Sequence, residues 1–327
     1  MAEDLKIRVG AGLGAGTATE EFGAAVDLLE RAGVDSLWLP EAVYSPRIDP
    51  VVGLTHALAR TANLKVGTGV MVLPGRDPVL VAKQLASLAA LAPKRVLPVF
   101  GLKPARDAEL PLFPVPPGRR AAVFDESLRL IRALLEQEEV TFEGEFFRVE
   151  GMGLGMRPVE RLDLWLGGKA PGALRRVGRL ADGWLASFLT PEETRACRAA
   201  IQEAAAEAER EVEADHFGIS LIVAENGIPD ALAASVAARS DADPARLIAD
   251  GWSAARDLIA EYLDAGLSKF VLYPAGTEPI ERFVEKFVEH AVPLQNRVGG
   301  RRTGARPRLS RTSALRSAAA SAAARRR

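Results

Sequence analysis

The sequence predicts an α/β protein, a (β/α)8 TIM barrel with an insertion after strand 4. Three observations predict it. Eight short apolar segments alternate with helical patterns between residues 6 and 291 of the 327, the rhythm of βα units closed into a barrel. That rhythm breaks once, between residues 102 and 163. The stretch 64–78, LKVGTGVMVLPGRDP, opens as an apolar strand suited to burial on both faces. It is then interrupted by Gly67, Thr68 and Gly69, which bare the backbone for a bulge or a flat ligand. In parallel α/β proteins such backbone, at the carboxyl end of a strand, lies where chemistry sits.

The elements follow in order. Residues 6–13 read as strand 1, ending in glycines, and Thr17 or Thr19 caps a helix bearing Phe22, Val26 and Leu29, stopped by Gly33. Residues 34–39 form strand 2, followed by Pro40-Glu41 and a loop. Asp49-Pro50 and Asp77-Pro78 each pair a capping acid with proline at the first helical position. Strand 4 spans 95–100 and ends at Gly101. Within the excursion lie a stiff PLFPVPPG loop, an amphipathic helix over 124–135 and a hairpin over 140–149 turning at Glu143-Gly144. Strand 5 covers 162–166, and strand 6 covers 183–187. Thr190-Pro191-Glu192-Glu193 is a capping box opening a long helix. Strand 7 spans 216–223, two helical pieces follow through Gly266, and strand 8 (269–273) precedes a helix over 280–291.

Composition narrows the function classes. The chain is 48% hydrophobic and 26% charged, an ordinary globular balance. No apolar leader and no run of membrane length is present, so a cytoplasmic protein is expected. A single cysteine, Cys197, rules out an internal disulfide and a cysteine-rich metal site. The net charge of −1 hides an asymmetry: residues 295–327 carry ten Arg and no acid, leaving 32 basic and 43 acidic residues in 1–294. The chain therefore divides into an acidic body, 1–294, and an Arg/Ala/Ser-rich tail, 295–327, expected to be disordered. Nucleic acid is not an expected partner of the body. Weak nucleic-acid binding is expected only of the tail.

Two glycine motifs stand out. Gly10-Ala11-Gly12-Leu13-Gly14-Ala15 satisfies a dinucleotide fingerprint, with Glu41 where a ribose-binding acid would lie. Its helix begins late and the later strands suit a closed barrel, which argue against that reading. Gly167-Gly168-Lys169-Ala170-Pro171-Gly172 lies between a strand and a helix, so that exposed N–H groups, a positive helix end and the Lys169 cation face one point. It reads as a phosphate cradle, against a plain turn. His56, His216 and His290 lack metal-ligand spacing, and neither HExxH nor GxSxG occurs, so no metal is expected. Glu41 and Asp182 sit near strand ends.

Four blocks, VDSLWLPE, DPVVGLTHALARTANLKVGTGVMVLPGRDPVLVAKQLASL, LDLWLGGKAPGALRRVGRLADGW and DAGLSKFVLYP, occur in this order. Together they resemble the luciferase-like monooxygenase superfamily, in its coenzyme F420-dependent oxidoreductase branch. The resemblance covers about residues 5–292. It implies a barrel, usually a homodimer, holding deazaflavin F420 or, alternatively, FMN at the carboxyl ends of the strands. It places Thr68, Gly69 and Val70 at a bulge, often a non-prolyl cis peptide, that backs the cofactor ring. It places Gly101 in the loop after strand 4, and Gly167, Gly168, Lys169 and Ala170 at the cofactor phosphate. Glu41 occupies the place where relatives carry a catalytic histidine and is expected to be the proton donor or acceptor. The run Leu97-Pro98-Val99-Phe100-Gly101 departs from the glycine-rich loop of many relatives. The reading is hydride transfer between F420 and an organic small molecule, with residues 102–153 closing the substrate pocket. The alternatives are an FMN-dependent monooxygenase served by a reductase and a non-catalytic flavin- or deazaflavin-binding barrel.

Overall fold

The computed structural model describes residues 5–13, 18–276 and 279–295. The expected Thr17 cap, Gly14-Ala15 of the glycine fingerprint and the basic tail from residue 296 lie outside them. Strands β1 (Arg8–Gly12), β2 (Ser36–Leu39), β3 (Lys65–Thr68), β4 (Met71–Val72), β5 (Val96–Leu97) and β6 (Val99–Gly101) alternate with helices α1 (Phe22–Arg31), α2 (Pro50–Arg60) and α3 (Pro78–Leu91). Helix α4 (Arg120–Glu136) and an antiparallel hairpin, β7 (Val140–Glu143) and β8 (Arg148–Met152), follow. The alternation resumes with β9 (Trp165–Leu166), α5 (Pro171–Leu180), β10 (Gly183–Ser187), α6 (Pro191–Glu207) and β11 (Phe217–Ala224). Helix α7 (Asp230–Ala237), β12 (Ile248–Asp250), α8 (Gly251–Asp264), β13 (Lys269–Pro274) and α9 (Ile280–His290) complete the body.

Every pairing in the main sheet is parallel, in the order β4-β6-β9-β10-β11-β13-β1-β2-β3-β5, with β12 added to the end of β11. The sheet is a closed ring, because its third and fourth strands are each split in two. β3 and β4 are halves of one strand, broken at Gly69-Val70, and β5 and β6 are halves of the next, broken at Pro98. β3 pairs β5 and β4 pairs β6, so the two ends of this order meet. Proline cannot donate to a ladder. Here the buried Thr68 hydroxyl bridges the break, accepting from Val99 N and donating to Val99 O, both at 2.8 Å. The closed ring excludes the dinucleotide-binding open sheet that the Gly10–Ala15 pattern suggested.

Strand alternation sends one side chain set outward to the helices and the other into the barrel. Val9, Leu37, Val66, Phe100, Leu166, Trp184, Phe270 and Leu272 join the helix-facing core. Trp38, Val99, Trp165, Leu185 and Val271 fill the interior, with Val70, Leu97 and Tyr273 packed on them. The interior glycines are complements of these aromatics. A Cβ on Gly10 would meet the Trp38 indole at 2.5 Å, one on Gly67 would meet it at 2.6 Å, and one on Gly12 would collide with the Tyr273 ring. Gly10, Gly12 and Gly67 thus make room for protein, and the sequence motifs built on them are packing devices.

At the amino ends of the strands Asp35 lies just before β2. Its carboxylate pairs with Lys269 Nζ at 2.7 Å, Lys65 Nζ at 2.9 Å and Arg8 Nε at 3.5 Å. One acid thereby ties together the starts of β13, β1, β2 and β3. Asp182, noted above near a strand end, sits at this same face before β10, held by Arg132, Arg161 and Arg210. It is a structural acid.

The excursion is narrower than the sequence suggested. Helix α4 packs against α3 and α5 as the barrel's fourth helix. The hairpin packs on α4, where the Glu126 carboxylate accepts from the N–H groups of Glu145, Phe146 and Phe147. What remains over the carboxyl ends of the strands is the loop between β6 and α4. Among the described residues, no helix is long and apolar enough to cross a membrane.

Candidate functional site at the barrel mouth

The carboxyl ends of β3, β6 and β9 bring together most of the residues singled out in the sequence. The Gly69-Val70 peptide bond is cis. The Val70 side chain lies between Gly101 and Gly167: a Cβ on Gly101 would stand 2.6 Å from Val70 Cγ2, and one on Gly167 3.1 Å from Val70 Cγ1. Gly69, Val70 and Gly167 remain partly exposed, whereas Gly101 is buried beneath them. The result is a smooth floor of bare backbone with one isopropyl group set into it, a surface suited to a flat aromatic ring.

Beside this floor begins α5. Gly167 N–H is spent on Phe100 O at 2.9 Å, and Gly168 adopts φ +112°, a conformation open to glycine. The Trp184 indole N–H holds Gly168 O at 2.8 Å. The helix has Ala170 at its N-cap and no side-chain cap, unlike α2, α3 and α6, which carry Asp49, Asp77 and Thr190. Among the described residues the N–H groups of Gly168, Lys169, Ala170 and Gly172 have no protein acceptor. Four orphan donors at a positive helix end can hold an anion and are called the cradle below. Lys169 is not the centre of it: its ammonium donates to Arg239 O at 2.7 Å and, longer, to Phe188 O. A phosphate-bearing cofactor with a planar ring fits this pairing of floor and cradle.

Thr68 lies behind the floor. Its hydroxyl is committed to Val99 on both its donor and acceptor sides, so it shapes the floor from behind. Glu41 is likewise committed. Its side chain is 3% exposed, Oε2 accepts from Val72 N–H at 2.8 Å, and Oε1 pairs with Arg76. Burial raises its carboxyl above the usual range, opposed by the Val72 N–H and the Arg76 charge. Arg76 in turn donates to Val72 O at 2.9 Å and lies over the Phe113 ring. Glu41 therefore fastens the loop after β4 to the end of β2 and, through Arg76, to the loop that follows β6.

This predicts a coupled loss. Glu41→Gln and Arg76→Gln each cost about 1–3 kcal/mol in urea denaturation, the range for breaking a buried charged hydrogen bond with one partly exposed partner. The double variant costs about as much as either alone. Additive losses would show that the two side chains act independently.

Two groups at the mouth went unnoticed in the sequence. Tyr273 stands in line with Lys269 and Val271 on the inward side of β13, and its hydroxyl comes within 2.7 Å of a Cβ built on Gly69. The alternation of KFVLYP carries that signal, because residues i, i+2 and i+4 share a face. Arg47 lies in the loop after β2, and nothing local in the sequence marks it.

Comparisons with known proteins agree with this architecture. An uncharacterised protein of Mycobacterium tuberculosis is 38% identical over 141 residues, which is 43% of this chain and 48% of that protein. The chain thus spans about half the length of that relative. The F420-dependent glucose-6-phosphate dehydrogenase of Rhodococcus erythropolis is 26% identical over 350 aligned positions, covering 91% of this chain and all of that one. Among solved structures, an F420-dependent secondary alcohol dehydrogenase bound to an F420-acetone adduct superposes with a TM-score of 0.75 at 17% identity, over 89% of this chain and 100% of that one. That likeness establishes the shared barrel. The family model described as luciferase-like monooxygenase matches residues 5–279, and the chain belongs to that family.

Proposed function

We propose that this protein is an F420-dependent oxidoreductase acting on an organic small molecule. The observation that carries the reading is the seating of Val70, at the cis Gly69-Val70 bond, between Gly101 and Gly167 beside the uncapped start of α5. When bound, the deazaflavin supplies a ring carbon that accepts or gives hydride. The chain supplies position. The amides of Gly168, Lys169 and Ala170 would hold the phosphate, and the Gly69-Val70 backbone and the Val70 side chain would set the ring plane. Trp38 and Val99 close the barrel beneath and keep water from that side.

Glu41 enters this reading as a positioning residue. Both carboxylate oxygens are engaged and the group is shut away from the mouth, so proton transfer falls to a group that faces the substrate. We further propose a homodimer, as the sequence resemblance implies.

Titrating the purified protein with F420 and, separately, with FMN tests the cofactor assignment through cofactor fluorescence. Preferential, saturable binding of F420 supports hydride transfer. Preference for FMN would replace it with oxygen chemistry dependent on a partner reductase, and binding of neither would overturn it.

A further inference from the structure

We propose that Arg47 and Tyr273 form an oxyanion subsite that selects substrates carrying a carboxylate or phosphate group. The proposal rests on the F420 reading of the mouth and assigns the substrate class to the half of the mouth that the cofactor leaves free.

Around the barrel ring, β9 with its cradle is four positions from β1. Tyr273 reaches over Gly12 of β1 from the neighbouring β13, and Arg47 follows β2 on the other side. The pair thus lies across the mouth from the cradle, with Gly69-Val70 between them. Tyr273 has a hydroxyl oxygen that is fully buried and has no hydrogen-bond partner. A buried hydroxyl without a partner costs stability unless something fills its place. Burial also raises the phenol well above its usual range, so at neutral pH it is a donor.

Arg47 is the second unpartnered group. It is half-buried, and among the described residues its Nε is buried without an acceptor and no carboxylate pairs with its guanidinium. Its charge is felt by Tyr273, and Arg106 adds a second positive field. Arg106 itself is engaged: it donates to Tyr44 O at 2.8 Å and stands 4.0 Å from Glu109. Glu109 is in turn held by Tyr44 N–H at 3.1 Å. Among the described residues Arg47 is therefore a half-buried cation with no carboxylate counter-ion, at the same carboxyl end of the strands as the neutral buried O–H of Tyr273. The guanidinium edge presents two parallel N–H groups that match two oxygens of one anion, and the phenol adds a third donor. Among the described residues neither the Tyr273 hydroxyl nor Arg47 Nε has an acceptor to compete with a ligand.

The test uses acetate and inorganic phosphate as probes. Each is titrated at constant ionic strength into F420-saturated wild-type, Arg47→Gln and Tyr273→Phe proteins, with F420 emission as the readout and F420 affinity measured in parallel. The expected result is saturable quenching or enhancement in the wild type by at least one probe, and which probe saturates tells carboxylate from phosphate. Arg47→Gln weakens that response about tenfold or more, and Tyr273→Phe weakens it less, as expected for a charged and a neutral donor. F420 affinity changes less than about twofold.

No saturable response to either probe in the wild type overturns the proposal, as does an unchanged response in Arg47→Gln. A parallel fall in F420 affinity overturns it in another way, by making the pair a cofactor contact. If the wild type binds no F420, the cofactor reading fails separately. The same titrations then run on the cofactor-free protein through tryptophan emission, where the component lost in Arg47→Gln but kept at the cradle still decides the question.

Discussion

Gly101→Ala weakens F420 binding by about tenfold or more while leaving the fold intact. The reason is steric and local. The new Cβ would stand 2.6 Å from Val70 Cγ2, closer than non-bonded carbons approach. A terminal methyl normally escapes such a clash by rotating, but Val70 is β-branched and stiff at χ1. Its other methyl already faces Gly167, where a Cβ would lie 3.1 Å away. The side chain therefore rises out of the floor into the space of the ring. Overpacking of this kind costs about 1–3 kcal/mol. Here it falls on the ligand, because Val70 is partly exposed toward the mouth. A second substitution distinguishes this from general damage. Val70→Ala in the Gly101→Ala background removes the clashing methyls and recovers affinity, so the two changes are strongly non-additive. F420 fluorescence titration of the four proteins measures the coupling. Equal affinity in wild type and Gly101→Ala would mean that nothing rests on this floor.

Asp35→Asn produces the largest loss of stability, about 3–5 kcal/mol at pH 7, the cost of leaving a buried charge without its partner. Lys269 is as buried as Asp35, each side chain being 9% exposed, and among the described residues it has no other carboxylate. Burial alone would raise the Asp35 carboxyl, but Lys269 and Lys65 outweigh it and hold it far below the usual carboxylate range. A depressed folded-state value stabilises the fold above the unfolded-chain value of about 4 and loses that contribution as pH falls below it. Urea denaturation of both proteins should therefore show a wide gap at neutral pH that narrows below about pH 4. A constant gap, or none at pH 7, would mean that the cluster does not clamp these strands.

The two ends of the barrel were unequally legible. The free N–H groups before α5 were readable because strand, double glycine and helix start are consecutive, so local sequence alone brings the donors to one point. The Asp49, Asp77 and Thr190 caps were readable for the same reason, and each is present. The eight-strand alternation predicted the ring, although the break at Pro98 and its repair by Thr68 emerge only when two strands are side by side. Gly10, Gly12 and Gly67 misled because a glycine records only that something comes close. In this fold the visitors are Trp38 and Tyr273, from strands distant in sequence. The surroundings of Glu41 were hidden in the same way: its position after strand 2 was visible, but its partners Val72 and Arg76 lie 31 and 35 residues on. Arg47 and Tyr273 are 226 positions apart, and no local pattern joins them.

The most direct test of the account is a crystal structure of the protein soaked with F420. The account predicts the cofactor phosphate within hydrogen-bonding distance of the Gly168, Lys169 and Ala170 N–H groups. It also predicts the deazaflavin ring resting on Gly69-Val70, with the Arg47 and Tyr273 side of the mouth left open. Cofactor bound elsewhere, or at the mouth with its phosphate away from the start of α5, would contradict it.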